Sequence, residues 1–431
     1  MYRASNGAFE ARFLLERNGG ECRLWPDTPF AAPVGVECTF LDAIGVCSSD
    51  DRFITPVPSP SPSATAAVFT NRFLPYSQTF VYDEVCAHDR YDVEVFCKER
   101  LNQDRFPYDA VRTPSSWLAK RVYENVRYWP PFDRALARGS YALVHAHFGY
   151  AAMHAAPVAF RNDLPLIITF WGNDVAVLIG SQRLNLKNWD YAALMPRIMN
   201  RAARMLCVSK EMCELVGDLS GRPEAVEWWR PGIDLSRYRP SPQTNDPPEV
   251  VMVGRFTEKK GHVYALRAFA RVIASGREAR LTFVGDGRLE AQCRRLVREY
   301  GLQEHVRFAG VLRPPEVAQC VRTSDVALVP SVVARNQDRE GSPTVAKEAS
   351  ACGVPVIGTY HAGIPEIIED GKTGLLVPER HVEALAEALT RLLDDPDLRS
   401  EMGRAGRAKM EREFRLEDRV AALEDHYDAV A

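Results

Sequence analysis

Short apolar, β-branched runs alternate with amphipathic helical stretches along most of this chain, and they do so in two separate sets. The first set holds Ala67 to Thr70, Val93 to Cys97, Leu143 to His147, Leu166 to Phe170 and Met205 to Val208, each followed by a helical pattern. The second holds Val250 to Val253, Leu281 to Val284, Val306 to Phe308, Val326 to Val329, Val354 to Ile357 and Leu375 to Val377. Such alternation predicts strands buried on both faces, joined by crossover helices, and therefore doubly wound parallel sheets. The turn-forming stretch Pro240-Ser241-Pro242-Gln243-Thr244-Asn245-Asp246-Pro247-Pro248 separates the sets and reads as a hinge.

The expected organisation follows. Residues 1–64 form a poorly patterned extension ending in the run Pro56-Val57-Pro58-Ser59-Pro60-Ser61-Pro62-Ser63, whose prolines deny a strand its donors. Residues 65–239 make one Rossmann-like domain, 240–248 the hinge and 249–398 a second Rossmann-like domain. The charged, helix-prone residues 399–431 pack back toward the first. Open parallel sheets bind ligands beyond the carboxyl ends of their strands, so the chemistry is expected in the cleft between domains.

Bulk properties exclude several classes. The 54 basic and 57 acidic residues give a net charge of -3, which offers nucleic acid no electrostatic footprint. The ten cysteines include no C-x-x-C pair and no zinc spacing, which suits a reducing, cytoplasmic setting. No apolar run reaches the roughly 18 residues of a membrane span, and no secretory signal opens the chain.

The segment Glu340-Gly341-Ser342-Pro343-Thr344-Val345-Ala346-Lys347-Glu348 carries the most chemistry. Pro343 suits a first helical turn, which leaves the amides of Ser342 through Val345 free as an anion site. Gly341 lets backbone approach a phosphate, and Glu348 could accept from ribose hydroxyls; a capped surface helix with two solvated glutamates is the plain alternative. A second loop, Gly254-Arg255-Phe256-Thr257-Glu258-Lys259-Lys260-Gly261, places Arg255 and Lys260 at a strand end, where two cations can stabilise a departing diphosphate. A third, Gly285-Asp286-Gly287, suits a nucleotide lying on bare backbone, although it is also an ordinary turn.

These three elements, in this order and spacing, resemble the second domain of the retaining family 4 glycosyltransferases, which have the GT-B fold. The likeness continues through Phe308-Ala309-Gly310, Gly353-Val354-Pro355-Val356-Ile357-Gly358-Thr359 and Gly363-Ile364-Pro365-Glu366, covering residues 249–395. It implies a UDP- or GDP-type sugar donor and no metal or other cofactor. Arg255 and Lys260 would then lie on the diphosphate, Glu340 and the following amides near sugar and phosphate, and Glu348 on the ribose.

The first domain resembles the exopolysaccharide branch, which includes colanic-acid and amylovoran transferases. The residues are Asn71 to Phe80, His145-Ala146-His147-Phe148-Gly149 and Thr169-Phe170-Trp171-Gly172-Asn173-Asp174. Ser77 could cap a helix at the cleft, and His147, at a strand end, either touches a substrate hydroxyl or is structural. Trp171 stands where many relatives carry histidine; it either stacks on a sugar or fills core. Asp174 either caps the next helix or touches the acceptor. The resemblance implies a saccharide or lipid-linked saccharide acceptor. The basic, aromatic stretch Trp117 to Trp129 fits a helix resting on the inner face of a membrane as well as it fits a half-buried one. Two rivals keep the same fold: an epimerase acting on the donor alone, and a non-catalytic nucleotide-sugar-binding scaffold.

Overall fold

In the computed structural model, residues 5–6, 9–10, 13–18, 21–26, 64–75, 78–185, 188–241 and 245–431 are described. They fall into two compact units, divided after Ser61. In the smaller one, β1 (Ser5–Asn6) pairs antiparallel with β2 (Phe9–Glu10), and β3 (Phe13–Asn18) with β4 (Glu21–Pro26). The prediction of a patternless extension missed these strands, and its proline run, up to Ser63, lies outside the described residues.

The larger unit contains two parallel sheets. The first is built from β5 (Ala64–Phe73), β6 (Tyr91–Arg100), β7 (Val111–Arg112), β8 (Tyr141–His147), β9 (Leu166–Phe170), β10 (Arg204–Cys207) and β11 (Val226–Trp228), in the order β11-β10-β9-β8-β5-β6-β7. Helices α1 (Thr79–Cys86), α2 (Trp117–Val126), α3 (Pro130–Arg138), α4 (Gly149–Arg161), α5 (Asn173–Ile179), α6 (Trp189–Arg201) and α7 (Lys210–Ser220) make its crossovers. The second sheet, ordered β14-β13-β12-β15-β16-β17, uses β12 (Glu249–Val253), β13 (Arg280–Val284), β14 (Val306–Gly310), β15 (Val326–Val329), β16 (Val356–Thr359) and β17 (Gly374–Val377). Its helices are α8 (His262–Ala274), α9 (Glu290–Glu299), α10 (Pro314–Arg322), α11 (Thr344–Ala351), α12 (Ile364–Ile367) and α13 (Val382–Asp394). In both sheets the order reverses beside the first strand, and that switch point opens the crevice.

The change of domain comes earlier than the proline-rich stretch suggested. Trp229 packs in the first core, whereas Ile233 and Tyr238 pack in the second. The chain returns beyond α14 (Pro396–Glu413): Met410 and Phe414 belong to the second core, while Leu423 and Tyr427 of α15 (Leu416–Asp428) belong to the first. The two crossings are hydrogen-bonded together, Ile233 N donating to Phe414 O at 2.8 Å and Leu416 N to Ile233 O at 3.2 Å. Helix α15 is then held on the first sheet by Glu424, which accepts from the amides of Asp89 and Arg90, and by Tyr427, bonded to His145 at 2.6 Å.

Candidate active site

At the carboxyl end of β12 the chain must turn sharply, and glycines make that possible. A Cβ on Gly285 would lie 2.3 Å from Gly254 O, so the loops after β12 and β13 touch backbone to backbone. Asp286 O accepts from Phe256 N at 2.7 Å, which fastens them. Gly261, at φ +77 with Pro330 O only 1.9 Å from where a Cβ would be, ends the turn carrying Lys259 and Lys260. Arg255 remains exposed between them.

Both lysines point to the loop before α11. Lys260 Nζ lies 3.1 Å from Glu340 Oε1, and Lys259 Nζ lies 3.0 Å from Asp338 and 3.2 Å from Arg339 O. Burial alone would raise the Glu340 carboxyl. Lys260, then Lys259, outweigh it and hold the group down to about 2. The Glu340 amide donates to His361 Nε2 at 3.0 Å, and His361 Nδ1 meets Glu379 at 2.6 Å. With Nε2 accepting, the imidazole proton belongs on Nδ1, facing the carboxylate. Helix α11 starts at Thr344 with Pro343 as its N-cap, one residue later than expected.

Across the crevice the first domain presents aromatic rings. Phe80 packs on Trp171 with ring centroids 4.1 Å apart, and Phe148 lies 5.8 Å from Trp171. A single cavity of about 900 Å³ is bounded by both sides. The second domain contributes Gly254, Arg255, Lys259, Lys260, Gly285, Asp286, Glu340 to Val345 and Glu348 to its wall. From the first come Asn71, Arg72, Phe80, Phe148 and Trp171. Gly341 and Gly172 close the seam at one end. A Cβ on Gly341 would sit 2.7 Å from Trp171 O, and one on Gly172 would sit 2.8 Å from Arg339 O.

Two model families match this arrangement in succession: "Glycosyltransferase Family 4" over residues 84–237 and "Glycosyl transferases group 1" over residues 236–409. The chain belongs to the family 4 glycosyltransferases. Among family relatives, WcaL of Escherichia coli K12, named for colanic acid biosynthesis, is 34% identical over 277 residues. That match covers 62% of this chain and 66% of the relative. The amylovoran biosynthesis glycosyltransferase AmsK of Erwinia amylovora is 31% identical over 275 residues, 62% of this chain and 65% of its own length. The chain thus aligns with just under two thirds of these curated relatives. Among solved structures, Anabaena HepE in complex with UDP and glucose superposes with a TM-score of 0.67 at 18% identity. That superposition covers 85% of this chain and all of that one. Sucrose-phosphate synthase from Thermosynechococcus elongatus gives 0.65 at 21%, covering 85% and 98%. The fold is GT-B.

Within this family 4 site, three expectations from the sequence need correction. His147 is fully buried and off the cavity wall, facing Glu84 of α1 at 3.0 Å. Strand alternation puts it on the same face as His145, which is covered by α1 and α15; the residue that reaches the cavity is Phe148, just beyond the strand, at φ +73. Asp174 lines the cavity, but its buried carboxylate accepts from the amides of Gly149, Trp171, Gly172 and Val175 and so holds the Trp171 turn, the structural one of its two expected roles. Gly287 packs on the Phe256 backbone and does not line the cavity. Ser77 lies outside the described residues.

Glu84, His145 and His147 bring ligand atoms within 4.8 Å of one another. Tyr427 and Thr169 already occupy both His145 nitrogens, so only Glu84 and His147 retain free donors. Lys259, His361 and Tyr238 were not singled out from the sequence, and the first had a usable signal in its adjacency to Lys260.

Proposed function

We propose that this protein moves a hexose from a UDP- or GDP-type nucleotide sugar to a saccharide or lipid-linked saccharide, with retention, in exopolysaccharide or related glycan synthesis. One observation carries the reading: a single cavity has cations and free helix amides on one wall and packed aromatic rings on the other. The departing diphosphate gathers negative charge, and Arg255, Lys260 and the α11 amides offset it in a shielded site. This charge set does the neutralising that a divalent ion performs elsewhere, so the reaction runs without a metal. The acceptor hydroxyl approaches the anomeric carbon from the face the nucleotide leaves, beside Trp171 and Phe80. The bound nucleotides of HepE and the polysaccharide names of WcaL and AmsK agree with this reading.

A thermal-shift panel of UDP, GDP and ADP, followed by turnover of the matching sugar nucleotide, tests it. Stabilisation by one diphosphate and acceptor-dependent release of that nucleotide are expected. A sugar isomer formed from donor alone would point instead to an epimerase, and binding without turnover to a scaffold.

The acceptor is reached at a membrane surface on this reading. Among the described residues no helix is long and apolar enough to cross one. Helix α2, however, exposes Trp117, Leu118, Val122 and Val126, and α6 exposes Trp189 and Leu194. The Arg127 to Asp190 ion pair, at 2.8 Å, ties the end of α2 to the start of α6, and Arg121 lies 5.9 Å from the Trp117 ring. Apolar rings flanked by cations suit anionic headgroups. Flotation with vesicles containing anionic lipid is expected and should be lost in Trp117→Glu; wild-type protein remaining at the bottom would reject membrane contact.

A further inference from the structure

The segment 231–238, where the chain passes between domains, is fixed to the donor helix α11 at two points. Lys347 Nζ donates to Pro231 O at 2.9 Å. Arg407 Nη1 donates both to Tyr238 O at 2.7 Å and to Ala351 O, the last residue of α11, at 2.8 Å. Burial, and then the adjoining Glu348 carboxylate, push the Tyr238 phenol up. Tyr238 and Glu348 both line the cavity. This stretch therefore moves with α11 and not with the sheet it has just left.

One side chain of the same stretch reaches back to the first domain. Arg237 grips Asp83 with both guanidinium nitrogens, Nη1 to Oδ2 at 3.0 Å and Nη2 to Oδ1 at 2.8 Å. Asp234 supports it at 3.6 Å. Asp83 belongs to α1, the helix whose Phe80 packs on Trp171 and whose Glu84 faces His147. Asp83 itself does not line the cavity. A half-buried bidentate pair of this kind fixes orientation as well as distance.

We infer that Arg237 is a positioning residue: through Tyr238 it links occupancy of Glu348 by the nucleotide to the placement of α1, and so of Phe80, on the acceptor side. The inference rests on the nucleotide reading of the cavity. A carboxylate has about four lone-pair sites, so ribose hydroxyls can bind Glu348 while Tyr238 stays beside it on the cavity wall, and each constrains the carboxylate for the other. Coupling of this type is reciprocal, so a change at Asp83 must be felt in nucleotide affinity although Asp83 touches no nucleotide.

The test is a double-mutant cycle in nucleotide binding, measured by calorimetry with UDP or GDP, whichever the wild type binds. Asp83→Asn is expected to weaken binding about fivefold. In a Glu348→Gln background the same change should have almost no effect. Arg237→Lys, which keeps the charge and loses the fork, should fall between, with a melting temperature near wild type that excludes simple unfolding. Equal factors in both backgrounds, or Asp83→Asn and Arg237→Lys both within twofold of wild type, would overturn the link while leaving the nucleotide reading intact. Absence of any diphosphate binding by the wild type would sink both.

Discussion

Gly341→Ala tests whether the donor loop is held in place by direct contact with the first domain. Gly341 is not at positive φ, so the substitution adds volume without backbone strain. The new methyl group would stand 2.4 Å from a Val208 methyl, 2.7 Å from Trp171 O and 3.3 Å from Met212 Cε. The valine and methionine can rotate, whereas the Trp171 carbonyl is backbone in a turn secured by Asp174. Relief of the carbonyl contact therefore requires the loop to retreat by about 0.5 Å, and full relief of the methyl contact by about 1 Å. The amides of Ser342 to Val345 retreat with it. Misplacement on this scale costs up to about 10²-fold in rate, so kcat/KM for nucleotide release should fall by roughly 10- to 100-fold. Stability should fall by about 1–3 kcal/mol, as overpacking does. Donor turnover and denaturant unfolding measure the two effects. Gly276→Ala, a glycine at φ +86 with no neighbour within 4 Å, is the control for a change that strains only backbone. Wild-type turnover in Gly341→Ala would refute the claim that this seam sets the geometry of the anion site.

Lys260→Met and Glu340→Gln should each lower turnover by about 10²-fold, the scale of losing one preorganised charge; steady-state rates near wild type for either would remove that residue from the mechanism. Trp171→Ala should raise the acceptor KM and leave the nucleotide Kd unchanged, since Trp171 belongs to the aromatic wall; a matched loss of nucleotide affinity would count against that division. Lys347, buried with Pro231 O as its hydrogen-bond partner, is pushed down to about 7 by burial, against which Glu348 works only weakly. The unfolded chain then holds a proton that the folded one lacks between about pH 7 and the ordinary lysine range, so folding stability should rise with pH there by up to about 1.4 kcal/mol per unit. Denaturant unfolding of Lys347→Met, compared with wild type across that window, should show a flatter profile; parallel profiles would refute it.

The alternation of strand and helix was legible because buried parallel strands are continuous apolar runs, and eleven of the thirteen strands in the two large sheets were anticipated. The two missed strands, Val111–Arg112 and Val226–Trp228, lie at one sheet's edges and are too short to show a period. The boundary at Pro240 was misplaced for a different reason. Turn formers mark where backbone bends, whereas a domain changes where packing changes, and Ile233 and Tyr238 look like any other apolar residues until their neighbours are known. His147 failed similarly: its strand-end position was visible, but its face is covered by α1, through Glu84, and by α15 from the other end of the chain beside it, through Tyr427 on His145. The cation loop and the Glu340 loop were readable as local motifs, while the His361 and Glu379 support arises from residues distant in sequence.

The Lys260 and Glu340 pair makes little sense as a stabilising contact. Removing two charges from water costs several kcal/mol per ion, and an apolar pair of equal volume often serves stability as well or better. What the pair does accomplish is to hold a flexible lysine at a fixed point without consuming its charge capacity. Lys259 is answered by Asp338 and Lys260 by Glu340, so the excess of positive charge facing the cavity is Arg255, before the α11 amides are counted. A diphosphate entering the cavity meets that excess already oriented, with Glu340 fixed from behind through its own amide by His361. The oxygen atoms of the ligand then share Lys260 with Glu340 and do not have to recruit it from solvent. Preorganisation of this kind is why Glu340→Gln, which keeps shape and removes charge, should slow the reaction even though it relieves a costly burial.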